Sequence, residues 1–463
     1  MAEHRGFAFH PSTRLGSGQR LDVAVGTEPQ HFPETGEQYR GSRYENAAGH
    51  LIEMVAIASR HDPMIYHIRR EEEWPAPSVR SAYGVHSPQT AMPNLYPLIR
   101  PALRLISPET AHDLTISALA VGWGRLMIDR AAREPDPPIL AQRLWGLDFP
   151  NPVGLAAGFD KDARVTDAMD AFGFGFVEIG TVTPRPQPGN PKPRIFRLEQ
   201  NQAIINRMGF NSMGLDAVTS RLSRRPHAGV IGVNLGKNRD SADAAADYAE
   251  GIRHAASLAD YIVINISSPN TPGLRQLQRR DSLESLLERL LRARDKSGRR
   301  VPLLVKVAPD LTTAEREDIA SVTLAAEIDG IIVSNTTVER PAGLVSPHAL
   351  ETGGLSGRPL FSPSTALLAD FFGLTRGGLP LIGVGGIASA ADAYEKIRAG
   401  ACLIQLYTAL VFAGPGLVVE IKRGLADLLR ADGFASISQA VGTGHDRVAT
   451  GPPVCAATRD PPS

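Results

Sequence analysis

Cysteine is nearly absent from this sequence: only Cys402 and Cys455 occur in 463 residues. One sits in an apolar strand-like run and the other in a proline-rich tail, so they build no disulfide framework and fit a reducing compartment or inert thiols. Net charge is absent too, with 49 basic against 49 acidic residues. That removes the general attraction to a polyanion, and no nucleic-acid partner is expected. No apolar run approaches the roughly eighteen residues of a membrane-spanning helix. The start, MAEHRGFAFH, also lacks the apolar centre of a signal peptide. The chain should therefore be soluble or lie on a membrane without crossing it. The Rossmann glycine fingerprint is missing, which disfavours a nicotinamide dinucleotide held in that way. With 43% apolar residues there is still ample material for a core, in one large domain with extensions or in two to three average ones.

Residues 1–91 are poor in periodicity and hold seven of the twelve histidines, among them His61 and His67. These lack metal-ligand spacing, so no metal is expected, and the stretch reads as a disordered polar extension in which only Leu51–Ile68 has helical character. At Met92 the pattern changes. Leu95, Leu98, Ile99, Ala102, Leu103 and Ile106 recur at helical spacing. Pro97 suits a first turn, whereas Pro101 should kink or shorten the helix. Thr110–Ile128 offers a second helix after Ser-Pro-Glu at 107–109. The region 92–133 thus reads as a small helical subdomain, and its apolar faces leave ordinary packing and a membrane-surface role both open.

From about 144 a rhythm sets in. Val153–Ala157, Phe176–Thr181, Val230–Leu235, Tyr261–Ile266, Leu303–Val307, Gly330–Ser334, Leu381–Val384 and Cys402–Leu406 are short apolar runs. They are separated by helix-capable segments such as Ser282–Arg292, Thr313–Ala326 and Ala388–Arg398. Such alternation predicts an α/β fold with a parallel sheet covered on both faces. Eight strands favour a closed (β/α)8 TIM barrel over residues 144–430, with a doubly wound sheet as the alternative. Polar residues and glycines gather after each run, as a barrel with its site at the carboxyl ends of the strands requires. Val418–Leu429 closes the domain, and residues 431–463 read as a disordered tail.

The densest of these rim segments is YIVINISSPNTPGLR, 261–275, where a strand runs into a proline-stiffened loop of amides and hydroxyls. Gly383–Gly386, Gly400, Tyr407, Thr408 and the loop TGGLSGR at 352–358 suit a phosphate. Lys161 and Lys306 stand at strand ends, where each either pairs with a barrel carboxylate or faces the mouth. Asn206, Asn234, Asn265, Asn270 and Asn335 supply donors and acceptors for a planar, amide-rich ligand. No histidine is expected at the rim, since His112, His227, His254 and His348 fall in helices or surface loops. A hydroxyl therefore enters as proton carrier: Ser268 is either that group or merely a cap on the turn before Pro269.

GLAAGFDKD (154–162), EIGTVTPRPQPGNPKPRIFRL (178–198), INRMGFNSMG (205–214), GVNLGKNRD (232–240), INISSPNTPGLR (264–275), KVAPDL (306–311), SNTT (334–337), TGGLSGRPL (352–360), IGVGGI (382–387) and QLYTA (405–409) stand in order along the chain. Together they resemble the quinone-dependent, class 2 dihydroorotate dehydrogenases over about Met92 to Leu429. The resemblance implies an FMN-containing barrel that oxidises (S)-dihydroorotate to orotate in de novo pyrimidine synthesis and passes the electrons to ubiquinone or menaquinone. It implies an FMN shell of Ala156, Ala157, Gly158, Phe159, Asp160, Thr181, Asn234, Asn265, Lys306, Ser334, Gly357, Gly386, Tyr407 and Thr408. Substrate would be held by Lys161, Asn206, Arg207, Met208, Gly209, Phe210, Asn265, Asn270, Asn335 and Thr336, with Ser268 as the base. The two early helices would form a membrane-associated quinone tunnel.

Class 1 enzymes, which use fumarate or nicotinamide, typically carry a cysteine where Ser268 stands and have no such helices, so class 2 is expected. Ser334 replaces a threonine common in the family while keeping the hydroxyl. The first ninety residues lack a targeting sequence or an anchor of the eukaryotic kind, and translation from Met92 is one expectation. The implied protein is a monomer, peripheral to the cell membrane on its cytoplasmic side. A phosphate-binding barrel lyase or isomerase, using Lys161 or Lys306, is the rival from another reaction class. A non-catalytic flavin-binding or scaffold protein would have no need of Ser268 with Asn206, Asn270 and Asn335.

Overall fold

The computed structural model describes residues 38–45, 51–58, 65–70, 96–123, 135–225 and 229–445. Eight parallel strands close into a barrel: β1 (Val153–Leu155), β2 (Phe176–Val182), β3 (Val230–Leu235), β4 (Tyr261–Asn265), β5 (Leu303–Val307), β6 (Gly330–Val333), β7 (Leu381–Val384) and β8 (Leu403–Leu406). Each is one of the eight expected runs, with ends shifted by no more than a residue or two, and the doubly wound alternative falls away. Nearly every strand residue is buried because the helices cover the outer face and side chains fill the inside.

The filling works by pairing absence with bulk. A Cβ on Gly154 would lie 2.2 Å from the Phe176 ring, and one on Gly232 would lie 2.0 Å from Tyr261. Glycines on β1 and β3 therefore make the room that the large rings of β2 and β4 occupy. A hairpin, Gln142–Leu144 with Leu147–Phe149, seals the amino-terminal end. Its turn places Trp145 and Gly146 at φ of 55° and 76°, the left-handed pair that matches strand twist. Trp145 Nε1 donates to the Asp329 carbonyl at 2.7 Å, and Phe149 meets Phe176 edge-on at 5.5 Å.

Helix starts follow local chemistry. Thr312 and Glu315 form a reciprocal capping box, and Asp243 and Ser389 accept from the backbone three residues on. Above the barrel, Ile195–Leu198, Ala203–Asn206 and Gly354–Gly357 form a small antiparallel sheet around Phe196, Leu198, Ala203, Ile205 and Leu355. The helical subdomain is α1 (Tyr96–Arg104) and α2 (Pro108–Ala120). Tyr96 donates to the Val411 carbonyl at 2.7 Å, Arg100 pairs with Glu199 at 3.1 Å, and Glu109 pairs with Arg194 at 2.7 Å. α1 contains Pro101 and stops three residues after it. The expected second helix ends at Ala120, and positions 124–133 lie outside the described residues.

Three expectations need correction. Leu51–Ile68, read as a helix, falls instead in strands Leu51–Ala58 and Ile65–Arg70, and Leu51–Ala58 is the central strand of an antiparallel sheet, paired with Gln38–Glu45 on one side and Ile65–Arg70 on the other. Within its own unit, Met1–Gln89, the chain is therefore not wholly irregular. Isoleucine, valine and tyrosine favour strands, but the partner that decides the matter is distant in sequence. The supposed tail is ordered as far as His445: Ile437–Ala440 is a helical turn, and Ile437 and Ala440 are fully buried. Cys402 is disulfide-bonded, not an inert thiol.

Candidate active site

The carboxyl ends of the strands open into a cavity of about 480 Å³ that continues beneath α1 and α2. Strand register brings its polar floor together. Lys306 on β5 lies beside Asn265 on β4, and Asn234 on β3 lies beside Gly180 on β2. Asn265 Nδ2 donates to Thr181 Oγ1 at 3.0 Å and to Asn234 Oδ1 at 3.1 Å, while Asn335 Nδ2 donates to Ser267 Oγ at 2.9 Å. The Tyr248 hydroxyl holds the Asn265 carbonyl at 2.8 Å. The floor is thus pre-organised before any ligand arrives.

Beneath it lies Glu178, fully buried on β2. It accepts from Asn234 Nδ2 at 2.7 Å and Gln405 Nε2 at 2.6 Å, and Lys306 Nζ stands 3.6 Å away. Lys306 therefore both pairs with a barrel carboxylate, as one reading expected, and faces the cavity. Glu178 was legible only as a charge inside an apolar run.

One wall is the loop after β4. Ser268 is buried against the cavity, and its Oγ accepts from Asn270 N at 3.3 Å. Asn270 Nδ2 donates to the Asn206 carbonyl at 3.1 Å, joining this loop to the small upper sheet. Arg275 fastens the loop from behind, donating to the Ser267 carbonyl at 3.0 Å and pairing with Asp310 at 2.8 Å. Gln187 holds the carbonyls of Gly209 and Phe210. Lys161 Nζ donates to Gly158 O at 2.9 Å, and burial lowers its pKa against the opposing pull of Asp162.

The glycine wall comes from three segments. Gly357, Gly385 and Gly386 take φ of 95°, 112° and 74°, and a Cβ on Gly386 would lie 2.5 Å from Phe361 backbone atoms. A side chain there would be strained and would also push the rim out of line. Thr408 donates to Ser356 Oγ at 2.9 Å beside them.

Of the residues predicted from sequence, Ala156, Ala157, Gly158, Phe159, Lys161, Thr181, Asn206, Met208, Gly209, Phe210, Asn265, Ser268, Asn270, Lys306, Ser334, Asn335, Thr336, Gly357, Gly386, Tyr407 and Thr408 line this one cavity. Three do not. Asp160 turns inward and accepts from the amides of Arg164 and Val165, each at 2.8 Å. Asn234 lies one layer below the surface, bound to Glu178 and Thr181. Arg207 points out to Glu351 at 2.7 Å and stacks over Phe196.

His112 falls on a helix, as expected, but that helix carries it into the cavity. The His112 ring meets Phe159 edge-on at 5.5 Å; Phe159 in turn meets Tyr407 at 5.5 Å. Burial, reinforced by Lys161 and Arg164, lowers its pKa to about 3. It is therefore a neutral ring at pH 7. Arg197 lines the same end and donates to the carbonyls of Leu103 and Ile106 at 3.2 and 2.5 Å, so it ties α1 to the upper sheet. Helical periodicity marks neither residue as a cavity group; only the placement of α1 and α2 does.

A family model described as dihydroorotate dehydrogenase matches residues 139–429. The chain is 57% identical over 356 residues to dihydroorotate dehydrogenase (quinone) of Rhodospirillum rubrum, covering 76% of this chain and 96% of that protein. It is 50% identical over 360 residues to the mitochondrial dihydroorotate dehydrogenase (quinone) of Mus musculus, covering 75% and 90%. A crystal structure of the Eimeria tenella enzyme with ferulenol is similar at a TM-score of 0.70 and 44% identity, covering 75% of this chain and 99% of that one. By barrel, by cavity and by sequence over most of its length, the chain belongs to the quinone-dependent dihydroorotate dehydrogenase family.

Proposed function

We propose that this chain oxidises (S)-dihydroorotate to orotate with FMN and delivers the electrons to a membrane quinone, ubiquinone or menaquinone, in pyrimidine synthesis. The observation that carries this is a single cavity joining Ser268 and the asparagine wall to the space beneath α1 and α2. The relatives' printed names support the choice of a quinone as acceptor.

The residues suit FMN by their chemistry. A glycine-built rim at Gly357 and Gly386, with Thr408 beside it, matches a phosphate, and a buried lysine meets the polar floor where a flavin ring would lie. Ala156, Ala157, Gly158, Phe159, Thr181, Asn265, Ser334 and Tyr407 would complete the shell. Bound FMN supplies a two-electron acceptor for the hydride that leaves C6 of the substrate.

The chain's own residues do the rest. Asn206, Asn265, Asn270, Asn335 and Thr336 orient the ring amides, and Lys161 meets the substrate carboxylate. Ser268 Oγ, held in place by the Asn270 amide that donates to it at 3.3 Å, takes the C5 proton as its own hydroxyl proton passes on to water. Lys306 offsets negative charge that builds above the floor, and Glu178 keeps that lysine in place.

Leu98, Leu105, Leu114, Val121 and Trp123 of the α1–α2 region are exposed, and among the described residues no helix is long and apolar enough to cross a membrane. We read this face as a peripheral attachment to the cytoplasmic side of the cell membrane, by a monomer. The test is flavin absorbance under anaerobic conditions. Dihydroorotate should bleach it, and a soluble ubiquinone analogue should restore it while fumarate and NAD⁺ do not. A flavin that stays oxidised removes the substrate assignment, and recovery with fumarate or NAD⁺ alone removes the quinone.

A further inference from the structure

Lys396 has no part in the chemistry above, yet it is fully buried on the helix Ala390–Arg398. Its Nζ donates to Ser364 Oγ at 2.6 Å and to the Phe361 carbonyl at 3.5 Å, and stands 5.2 Å from the centre of the Phe361 ring. Among the described residues it makes no ion pair. An ammonium buried with only neutral partners is costly, and a structure that retains one has use for the charge.

What lies above it is the glycine rim. Ser364 Oγ sits 3.2 Å from the Gly385 carbonyl, and a Cβ on Gly386 would strike Phe361 backbone atoms at 2.5 Å. The same two residues that hold the ammonium, Ser364 and Phe361, thus carry Gly385 and Gly386 at the cavity edge. One layer of backbone separates the lysine from the place where the proposed function seats the FMN phosphate, and the inference rests on that reading.

We propose that Lys396 is the buried counter-charge of the cofactor phosphate, a positioning residue that takes up a proton when the dianion settles against Gly385 and Gly386. Burial lowers its pKa to about 7, with Glu395 and then Asp392 pulling the other way, so the flavin-free chain exchanges this proton near neutrality. Asp392 is itself engaged by Arg358 at 2.6 Å. The other elements packed around it add little charge. β7 carries none, and Asp370, the one charged residue of the helix Phe361–Thr375, pairs with Arg316 at 2.5 Å. On the helix Gly416–Ala431, Lys422 pairs with Asp136 at 2.5 Å and Arg430 with Asp427 at 3.0 Å, with Glu420 and Arg423 on the same helix. His445 bonds to the Ala399 carbonyl at the helix end.

Linkage sets the sign. A lysine whose pKa rises on binding makes the complex weaker as pH climbs from the free value toward the bound one. The test dilutes the FMN-loaded full chain and reads released flavin by fluorescence between pH 7 and 9, with riboflavin, which lacks the phosphate, as the second probe. The FMN dissociation constant should rise about tenfold per pH unit, and that of riboflavin should stay level. K396M should bind FMN at least about tenfold more weakly at pH 7 and show no pH slope; K396R should remain tight across the range. A level wild-type FMN profile, or a K396M protein that keeps the slope, overturns the proposal. If K396M fails to fold, the wild-type contrast between FMN and riboflavin decides alone. Equal retention of riboflavin and FMN at pH 7 would instead overturn the seating of the phosphate itself.

Discussion

Ser268 shows how little of a residue's role its own identity determines. A serine before a proline is an ordinary turn cap, and a free hydroxyl is a poor base. Here it is buried at the cavity wall, receives the Asn270 amide, and shares its loop with Ser267, which Asn335 and Arg275 hold in place. Its replacement, Ser268→Ala, should leave FMN and orotate binding intact while slowing flavin reduction by dihydroorotate at least about a hundredfold; stopped-flow absorbance measures this, and near-normal reduction would remove Ser268 from the base role. Lys306 and Glu178 form the complementary case. The lysine was conspicuous in LLVKV, but its partner lies on β2, 128 positions earlier, and only barrel register makes them neighbours. Asn234 and Asp160, equally conspicuous by motif, support the floor and the β1 turn from behind.

Elements were legible wherever their signal was local. The eight barrel strands and the helix Thr313–Ala325 stand where the apolar runs and the helix-capable segment between them put them, and in the structure Thr312 and Glu315 cap that helix. Strands whose pairing is distant were not: Ala203–Asn206 joins Gly354–Gly357 about 150 residues on, and nothing in AIIN announces it. Helices α1 and α2 fall between these cases. Their periodicity marks them as helices, and the proposed function makes them a quinone platform, but which apolar side chains remain outside depends on what the upper sheet and the segment after β8 cover. Leu105 is 89% exposed and Trp123 66%. Burying a large apolar side chain in an acyl boundary is worth roughly 1.5–3 kcal/mol. The double substitution of Leu105 and Trp123 by glutamate should therefore weaken binding to anionic phospholipid vesicles at least about tenfold while leaving flavin reduction unchanged. Co-sedimentation with vesicles checks the first expectation, and unchanged sedimentation would detach this face from the membrane.

At the scale of the whole molecule, the cavity spans the barrel and the helices packed on its mouth, and its burial has a consequence for stability. His112 titrates near 6.5 when unfolded and at about 3 when folded. Between those values the unfolded chain binds the extra proton, so stability rises with pH across that window and is lost as pH falls from 6.5 toward 3. Urea unfolding at pH 7 and pH 4 should show His112→Phe gaining up to about 3 kcal/mol over wild type at the lower pH relative to the higher; equal differences at both would place His112 in water. The sequence by itself determined the barrel, the order of its strands and nearly all of the rim, because parallel strands buried on both faces must be short, apolar and followed by polar turns. It also carried the family, through motifs that stand in order along the chain. Only the tertiary structure decided that His112 and Arg197 share a cavity with Tyr407, that Glu178 anchors Lys306, that Lys396 lies beneath Gly385 and Gly386, and that the chain stays packed to His445. Each of these depends on contacts between segments far apart in the chain, and local periodicity carries no information about which distant segment a side chain will meet.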